Sequence, residues 1–437
     1  MFCATKTVAR SIPRSTWLSI VCWDCNPTKE WWRYNQKKKE SDTSPMKIRP
    51  AKIVEAIKPY YFSSLNKTLS ELRAKGLDII RLDMGSPDLP PADFIIDKLV
   101  SSARNPKKHG YAPIGGTPEF LKAITDYYER RFNVMLDPKR EALALIGSKE
   151  GIFNINHTLL DPGDLVLMPD PYYPVYYAGA QLASAEIYFM PLKRENDFLP
   201  DFDAIPAEVA DRAKMMWLSY PNNPTGAVAE LDFFDRAIAF ALRHEIVIVH
   251  DAPYTDLTFD GFVAPSILQA KGAREVAIEF NSLSKTYNMA GWRVGMAVGN
   301  ADIIKYLGTY KSQIDTSMFI PVMEAAEVAL TSDQSWIFDR NKIYEERRNV
   351  VYEGLKTAGF EVELPKAALY LWARLPEGYH DDMQFCASLL NDTGVSVTPG
   401  IIYGPSGADY IRISIITPTQ QIKKAMDRLV EWTKQHR

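Results

Sequence analysis

The sequence is poor in cysteine and histidine. Its 437 residues include four cysteines and six histidines, and only Cys386 lies beyond the first 25 residues. A disulfide framework needs more cysteines in a chain of this size, and beyond the first 25 residues neither residue type recurs at the spacing of metal ligands. We therefore expect neither structural disulfides nor a metal centre in the body of the chain.

The sequence also lacks an excess of charge of one sign and a long apolar run. The formal net charge is −3, which argues against a nucleic-acid partner. No run of 18 or more apolar residues is present that could span a membrane. The length suits one large and one smaller domain. We expect a cytoplasmic protein that binds neither nucleic acid nor a membrane.

The beginning of the chain differs in composition from the rest. The first fifty residues hold ten lysines or arginines against four aspartates or glutamates, together with four tryptophans and three cysteines. The apolar stretch is too short for a secretory signal, and a mitochondrial transit peptide rarely carries so many tryptophans and cysteines. The pair Cys22 and Cys25 could suggest metal or redox chemistry, but no second pair completes a site. We expect residues 1–45 to be a disordered or non-native extension, with Met46 as a plausible start.

Short apolar runs alternate with helical stretches across residues 142–280. The runs are continuous and bounded by Gly, Pro or Asp, which is typical of strands buried on both faces. The predicted strands cover residues 143–146, 165–168, 187–190, 215–219, 246–250 and 276–280. After residue 295 the alternation favours an antiparallel sheet. The pattern predicts an α/β protein with a mainly parallel sheet flanked by helices, followed by a smaller α+β domain.

Residues 282–295, which read SLSKTYNMAGWRVG, combine a lysine with hydroxyls and a guanidinium. Lys285 follows Ser282 and Ser284, and Arg293 lies eight residues further on. An amine can form a Schiff base with an aldehyde, while hydroxyls and an arginine suit a phosphate. This stretch predicts a cofactor that carries both an aldehyde and a phosphate.

A second phosphate-binding candidate is the stretch GSKEG at residues 147–151, where a predicted strand passes into a helix. Free backbone amides at a helix N-terminus bind phosphate, and small residues allow close approach. Ser148 and Lys149 are therefore candidates for cofactor binding.

Three other positions favour the binding of a polar or charged ligand. The prolines of PNNPTG at 221–226 make a rigid loop, so an amide there is positioned in advance. Asp251 ends a buried strand, where a carboxylate is costly without a cation as its partner. Arg412 lies on an otherwise apolar strand and needs an anion, for which a carboxylate offers two parallel hydrogen bonds.

Together these motifs resemble the class I and II aminotransferases, the enzymes of fold type I that depend on pyridoxal 5′-phosphate (PLP). The resemblance covers roughly residues 46–437 and includes the aspartate and LL-diaminopimelate aminotransferases. It implies a large PLP-binding domain at 86–325 and a small domain at 326–437. Residues 46–85 would form an N-terminal arm and part of the small domain.

The resemblance also implies roles for individual residues. Lys285 would be the catalytic lysine, with Asp251 and Tyr254 as catalytic partners. The cofactor would be held by Ser148, Lys149, Tyr173, Asn223, Asp251, Tyr254, Ser282, Ser284, Lys285 and Arg293, and by Tyr111 from the other subunit of a homodimer. The substrate would contact Gly85, Lys149, Asn223 and Arg412.

The implied activity is transfer of an amino group between an L-amino acid and a 2-oxo acid by a ping-pong mechanism. Carbon–sulfur β-lyases share the same cofactor positions, so elimination is the alternative. A PLP-binding regulatory protein would need an N-terminal DNA-binding module, and the first fifty residues show no helix-turn-helix pattern. Lys149 favours an acidic or distally polar substrate, whereas Tyr60 and Tyr61 could favour a larger side chain.

Overall fold

The computed structural model describes residues 48–55, 57 and 60–436. The chain divides into two units, one ending before residue 57 and the other covering 57–437. The predicted extension at residues 1–45 lies outside the described residues. The boundaries predicted at 85/86 and 325/326 stay predictions.

The described chain contains both long helices and short strands. Its α-helices are α1 (Lys52–Glu55), α2 (Tyr61–Ala74), α3 (Asp93–Ala103), α4 (Pro118–Phe132), α5 (Ser148–Leu159), α6 (Pro174–Leu182), α7 (Ala207–Ala210), α8 (Leu231–His244), α9 (Ala273–Val276), α10 (Leu283–Thr286), α11 (Ala301–Lys311), α12 (Ile320–Thr331), α13 (Ser335–Thr357), α14 (Asp382–Thr393) and α15 (Thr419–Gln435). Its strands are β1 (Ile80–Arg81), β2 (Ala142–Leu145), β3 (Leu165–Asp170), β4 (Glu186–Pro191), β5 (Ala213–Leu218), β6 (Val247–Asp251), β7 (Ala277–Ser282), β8 (Gly295–Gly299), β9 (Glu361–Val362), β10 (Tyr370–Arg374), β11 (Val395–Ser396), β12 (Thr398–Pro399) and β13 (Tyr410–Ser414).

A seven-stranded sheet with the order β2-β8-β7-β6-β5-β3-β4 forms the centre of the second unit. Neighbours from β7 to β4 are parallel, and β8 runs antiparallel to both β7 and β2. The six predicted strands are therefore present, and the predicted mainly parallel sheet is confirmed. The sequence prediction missed β8, because the cofactor motif ends at Gly295 and residues 296–299 were assigned to no strand.

Alternate residues of the central strands face opposite layers of helices. On one face, Leu167 and Ile248 belong to a core shared with α4, α8 and α12. On the other face, Val166 and Val249 pack with α5, α6 and α11. Continuous apolar strands require this double cover, because a residue on either face would otherwise be exposed to water. The carboxyl ends of the parallel strands consequently meet at one edge, where ligands bind in sheets of this kind.

The remaining strands form smaller sheets. An antiparallel sheet has the order β12-β13-β10-β9, and β1 pairs in parallel with β11. Their apolar faces pack with α13, α14 and α15 in a separate core. Within β10 and β13, Trp372 lies opposite Arg412 and Tyr370 opposite Ser414. All four residues therefore share one face, and Tyr370 is the diagonal neighbour of Arg412.

Helices α11 and α12 are separated by a non-helical stretch between Lys311 and Ile320. Ser317 between them has a φ of 72°, and Pro321 lies in the first turn of α12. Proline is tolerated in a first turn because its missing N–H would have no helical partner there, whereas it interrupts a helix interior. The chain therefore starts a new helix at this proline.

Candidate active site

One cavity of about 530 Å³ lies at the carboxyl ends of the central strands. It is lined by twelve of the thirteen residues that the sequence singled out, namely Gly85, Ser148, Lys149, Tyr173, Asn223, Asp251, Tyr254, Ser282, Ser284, Lys285, Arg293 and Arg412. These residues come from seven stretches that are far apart in sequence. Those that follow β2, β3, β5, β6 and β7 meet because the carboxyl ends of these strands lie at one edge of the central sheet, whereas Gly85 and Arg412 come from outside that sheet.

Lys285 lies in α10, directly after β7, with its amine in the cavity. Its Nζ donates a hydrogen bond to the carbonyl oxygen of Gly85. Burial lowers the pKa of Lys285, and the nearby guanidinium of Arg412 acts in the same direction. A larger fraction of the amine is therefore neutral, which is the form that acts as a nucleophile or takes a proton.

Asp251 ends β6 and is buried below the cavity. Tyr176 Oη donates to Asp251 Oδ2 at 2.6 Å. The other oxygen, Oδ1, meets no donor in the part of the chain that the structure describes. Burial raises the pKa of Asp251 to about 6. This carboxylate therefore needs a cation or a hydrogen-bond donor from outside the chain.

A cradle of small residues lies between β2 and α5. Gly147 has a φ of 72°, and a Cβ there would lie 2.2 Å from Arg293 Nη2. A Cβ on Gly295 would lie 2.4 Å from the backbone nitrogen of Ser148. Both glycines therefore leave open the space around a guanidinium and a helix N-terminus, which is the donor set that binds phosphate.

Two serines at the start of α10 complete this end of the cavity. Ser282 Oγ accepts from the backbone nitrogen of Ser284 at 3.2 Å and caps the short helix. Both serines are buried and line the cavity. Their hydroxyls lie beside Lys285 in sequence, so one tight turn supplies an amine and phosphate-binding hydroxyls together.

Arg412 lies on β13 of the antiparallel sheet, and its side chain reaches the loop that follows β5 of the central sheet. Its Nη1 donates to Asn223 Oδ1 at 2.9 Å, and its Nη2 donates to the carbonyl oxygen of Asp83 at 2.8 Å. Arg81 holds the Asp83 carboxylate. The Nε of Arg412 has no hydrogen-bond partner among the described residues. Arg412 is thus fixed in place by neutral acceptors and keeps its charge available for an anion.

The cavity carries an excess of positive charge. Lys149, Arg293 and Arg412 all line it, and none has a carboxylate partner within 4 Å among the described residues. Lys149 lies 5.1 Å from the ring centroid of Tyr60, and partial loss of solvent together with Arg293 lowers its pKa. Unpaired cations in one cavity predict a ligand with more than one anionic group.

Tyr111 is the one predicted site residue that the structure keeps out of the cavity. Its side chain is 90 % exposed within this chain. A role at a cofactor would therefore require the cavity of a second copy. The prediction that Tyr111 crosses a dimer interface stays a prediction.

Tyr370 and Tyr403 also line the cavity, although no sequence motif marks either as a site residue. The hydroxyl of Tyr370 lies 3.0 Å from the hydroxyl of Tyr254. The register of β10 against β13 places Tyr370 beside Arg412, and that register is set by pairing between distant segments, so no local motif announces it.

The chain offers what PLP requires at each of its functional groups. Asp251 has an unpartnered oxygen for the pyridine nitrogen, Lys285 supplies an amine for the aldehyde, and the cradle at Gly147 and Arg293 suits the phosphate. A mainly parallel sheet with this set of groups at its carboxyl edge defines an enzyme that uses PLP.

Comparison with known proteins extends this assignment. The family model for aminotransferase class I and II matches residues 78–429. The chain belongs to this family, and it is a PLP-dependent aminotransferase of fold type I.

Relatives that are similar over most of this chain carry the name of an aminotransferase. The LL-diaminopimelate aminotransferase of Dehalococcoides mccartyi is 48% identical over 388 residues, which cover 89% of this chain and 100% of that protein. The protein of the same name from Moorella thermoacetica is 47% identical over 382 residues, covering 87% of this chain and 98% of that protein. The lyase alternative draws no support from these relatives.

Solved structures match over the same region. Substrate-bound BacF from Bacillus subtilis superposes with a TM-score of 0.86 at 37% identity, covering 89% of this chain and 98% of that chain. Aspartate aminotransferase from Thermus thermophilus with maleate gives a TM-score of 0.82 at 28% identity, covering 88% of this chain and 100% of that chain. No helix among the described residues is long and apolar enough to cross a membrane, and they contain no cluster of three metal-ligating side chains.

Proposed function

We propose that this enzyme transfers an amino group between LL-diaminopimelate and a 2-oxo acid. The observation that carries the proposal is the pair of cavity cations Arg412 and Lys149, neither of which has a carboxylate partner in the described chain. The relatives that are 47–48% identical carry the name LL-diaminopimelate aminotransferase, which supports the same donor.

The charge pattern of the cavity suits a substrate with a carboxylate at each end. In this proposal Arg412 binds the α-carboxylate at the reacting end, because its guanidinium is buried and held in place by Asn223. Lys149 binds the distal group and keeps some contact with water. A donor such as alanine would leave Lys149 without an anion, so the site would discriminate against it.

The chain's own residues divide the chemistry among them. Arg412 orients the donor, and Lys285 in its neutral form removes the proton from the donor's α-carbon. The carbonyl of Gly85 holds the Lys285 amine before and after that transfer. The same lysine returns the proton when a 2-oxo acid takes up the amino group in the second half of the ping-pong cycle.

The remaining residues would hold the cofactor. Bound PLP supplies an aldehyde that accepts the amino group and a pyridine ring that withdraws electrons from the reacting carbon. Asp251 would hold the ring nitrogen in its charged form, and Tyr173 would pack on the ring. Asn223 and Tyr254 would donate to the phenolate oxygen. The phosphate would lie with Ser148, Ser282, Ser284 and Arg293.

The proposal includes a homodimer in which Tyr111 completes the phosphate site of the partner. An aromatic side chain that is 90 % exposed in one chain supports an interface at this position. A cytoplasmic location and the absence of nucleic-acid and membrane partners stay predictions of the sequence.

A donor panel tests the proposal. The purified enzyme is mixed in turn with LL-diaminopimelate, aspartate, glutamate, alanine and an aromatic amino acid, without any oxo acid, while the visible absorption is recorded. We expect LL-diaminopimelate to bleach the cofactor band fastest at low concentration, and a 2-oxo acid to restore it.

Two other results would count against the proposal. Equal bleaching by alanine and LL-diaminopimelate at the same concentration would remove the role of a distal carboxylate. Persistence of the band with release of pyruvate and ammonia would indicate elimination instead of amino transfer.

A further inference from the structure

We propose that Tyr370 is a positioning residue with two separable parts, a ring that holds Arg412 and a hydroxyl that holds Tyr254. The proposal rests on the proposed function, because it concerns the residues that would bind the donor carboxylate and the cofactor oxygen. Tyr370 itself is buried and lines the cavity.

The ring of Tyr370 lies against the guanidinium of Arg412. The Cζ atom of Arg412 is 4.0 Å from the centroid of that ring, closer than the 5.0 Å to Tyr403. The two residues are diagonal neighbours on β10 and β13, so the sheet itself sets their contact. A cation over an aromatic face is attracted to the ring, and the attraction is larger where water is excluded.

This contact acts on the orientation of Arg412. Its terminal nitrogens donate to Asn223 and to the carbonyl of Asp83, which fix two points in the plane of the guanidinium. The ring of Tyr370 covers one face of that plane. A carboxylate that binds by two parallel hydrogen bonds requires the plane to be held in this way.

The hydroxyl of Tyr370 acts on a different residue. Its Oη lies 3.0 Å from Tyr254 Oη, and the two rings meet edge to face with centroids 5.7 Å apart. Tyr254 has one proton to donate. When Tyr370 donates to Tyr254 Oη, that proton stays available for the cofactor oxygen, so the Tyr370 hydroxyl decides where the Tyr254 proton points. A Cβ on Gly85 would lie 2.4 Å from the Tyr370 hydroxyl. Gly85 thus leaves room for this phenol as well as its own hydrogen bond to Lys285.

The charges around the phenol favour its ionised form. Burial alone would raise the pKa of Tyr370, but Arg412 and Lys285 outweigh burial and lower it. The titratable groups that interact with it are Tyr60, Tyr173, Tyr254, Lys285, Tyr403 and Arg412. Burial lowers the pKa of Lys285, and the interaction with Tyr370 opposes this and raises it. Removal of the Tyr370 hydroxyl should therefore lower the pKa of the Lys285 nitrogen.

Two variants separate the parts of Tyr370. Tyr370→Phe keeps the ring and removes the hydroxyl, whereas Tyr370→Leu removes both. The control Tyr410→Phe removes a hydroxyl from the same sheet at a residue that does not line the cavity and stacks on Trp372. The readouts are the pH midpoint of the visible cofactor band and the dissociation constant of maleate, a dicarboxylate that has no amino group to transfer.

We expect Tyr370→Phe to lower the pH midpoint by about one unit and to change the maleate constant by less than about twofold. Tyr370→Leu should lower the pH midpoint equally and raise the dissociation constant of maleate about tenfold. Tyr410→Phe should change neither. If Tyr370→Leu does not fold, Tyr370→Met replaces it, because methionine fills similar space without a π face.

An unshifted midpoint in Tyr370→Phe, or unweakened maleate binding in Tyr370→Leu, would overturn the proposal. Such a result with normal amino transfer by the wild type leaves the proposed function intact. If the wild type uses no donor in the panel, the proposed function is wrong. The pH midpoint of the cofactor band and the dissociation constant of maleate still test the role of Tyr370 in that case.

Discussion

Tyr176 Oη donates to Asp251 Oδ2 at 2.6 Å, while the second oxygen of the same carboxylate has no partner in the described chain. The ring of Tyr176 is itself held by stacking on Trp217, with centroids 4.4 Å apart. One oxygen of Asp251 is therefore anchored and the other is left for a ligand. This division suits a carboxylate whose task is to face a positively charged ring nitrogen.

The first prediction concerns the hydroxyl of Tyr176. The hydrogen bond from Tyr176 favours the ionised form of Asp251, so Tyr176→Phe should raise the carboxyl pKa by about one unit. Because the ionised form is the active one, the acidic limb of the kcat profile should move to higher pH. Tyr220→Phe is the control, since Tyr220 Oη is also buried but donates to the carbonyl of Phe198. Equal shifts in both variants would contradict the assignment.

The second prediction concerns the stability of the cofactor-free protein. The pKa of Asp251 is raised from 3.8 to about 6 in the folded state, so the ionised carboxylate costs stability above that pH. Asp251→Asn should therefore raise the free energy of unfolding by roughly 3 kcal/mol at pH 8 and by only about 0.5 kcal/mol at pH 4, where the folded carboxyl is protonated. Urea unfolding at both pH values measures this difference.

Asp164→Asn is the matched control for that experiment. Its hydrogen bond to Lys214 lowers the pKa of Asp164, so the ionised form is favoured in the folded state. The substitution should bring no gain at pH 8. A gain of similar size in both variants would mean that the effect is not specific to the buried site.

The third prediction concerns the cradle at Gly147. An alanine there would be strained by the φ of 72° and would press on Arg293 Nη2 at 2.2 Å. Gly147→Ala should weaken the binding of PLP at least about tenfold, because charge-assisted hydrogen bonds to the phosphate are lost. Gly163→Ala is strained alike, with a φ of 91°, but has no atom within 4 Å of the added Cβ. It should lose stability and keep its affinity for PLP, as measured by titration of the cofactor-free protein.

The fourth prediction concerns substrate choice. Lys149→Ala should raise KM for LL-diaminopimelate and aspartate about tenfold or more, because an ion pair to the distal carboxylate is lost. KM for alanine should change little, since alanine has no distal group. Lys305→Ala, an exposed lysine on α11, should change neither value. Equal increases for aspartate and alanine in Lys149→Ala would remove the argument for a distal contact.

The fifth prediction concerns the support beneath α5. Lys311 is fully buried and pairs with Glu150 at 3.0 Å and with Asp315 at 2.6 Å. Glu150 also accepts from the backbone nitrogen of Ile146 at 2.8 Å, which ties the phosphate-binding turn to this pair. Lys311→Met should destabilise the protein by about 3–5 kcal/mol, because two carboxylates lose their cation.

The pH dependence of that loss follows from its cause. Burial raises the pKa of Glu150, and Lys311 opposes this, so the variant carboxyl should have a still higher pKa. The loss should be largest at high pH and shrink as the carboxylates take up protons. Lys122→Met breaks the exposed pair with Asp126 and should cost at most about 0.5 kcal/mol. Urea unfolding of both variants provides the comparison.

The sequence predicted the central strands well because each one is a continuous apolar run. The sequence did not predict the order in which the strands pair or the direction of β8. In the structure Gly295–Gly299 pairs antiparallel with the strands on both sides. Direction depends on which segments meet in space. A short apolar run after a glycine is compatible with either direction.

The candidate site was predictable where its residues follow strand ends in recognisable motifs. Lys285, Asp251 and Asn223 each stand at a position that local sequence marks. The contact of Tyr176 with Asp251 was not predicted, because residues 172–176 contain three tyrosines and the local sequence does not show which of them reaches Asp251. Its role is visible only in the 2.6 Å hydrogen bond to a residue 75 positions away.

The sequence by itself determined the alternation of strands and helices, the cofactor chemistry and the identity of the groups that would bind it. These depend on side-chain type and on neighbours in the chain. The tertiary structure alone decided that Arg412 lies over Tyr370, that Tyr370 reaches Tyr254, and that Tyr111 stays outside the cavity of its own chain. Those relationships arise from sheet register and packing between distant segments, which no local pattern encodes.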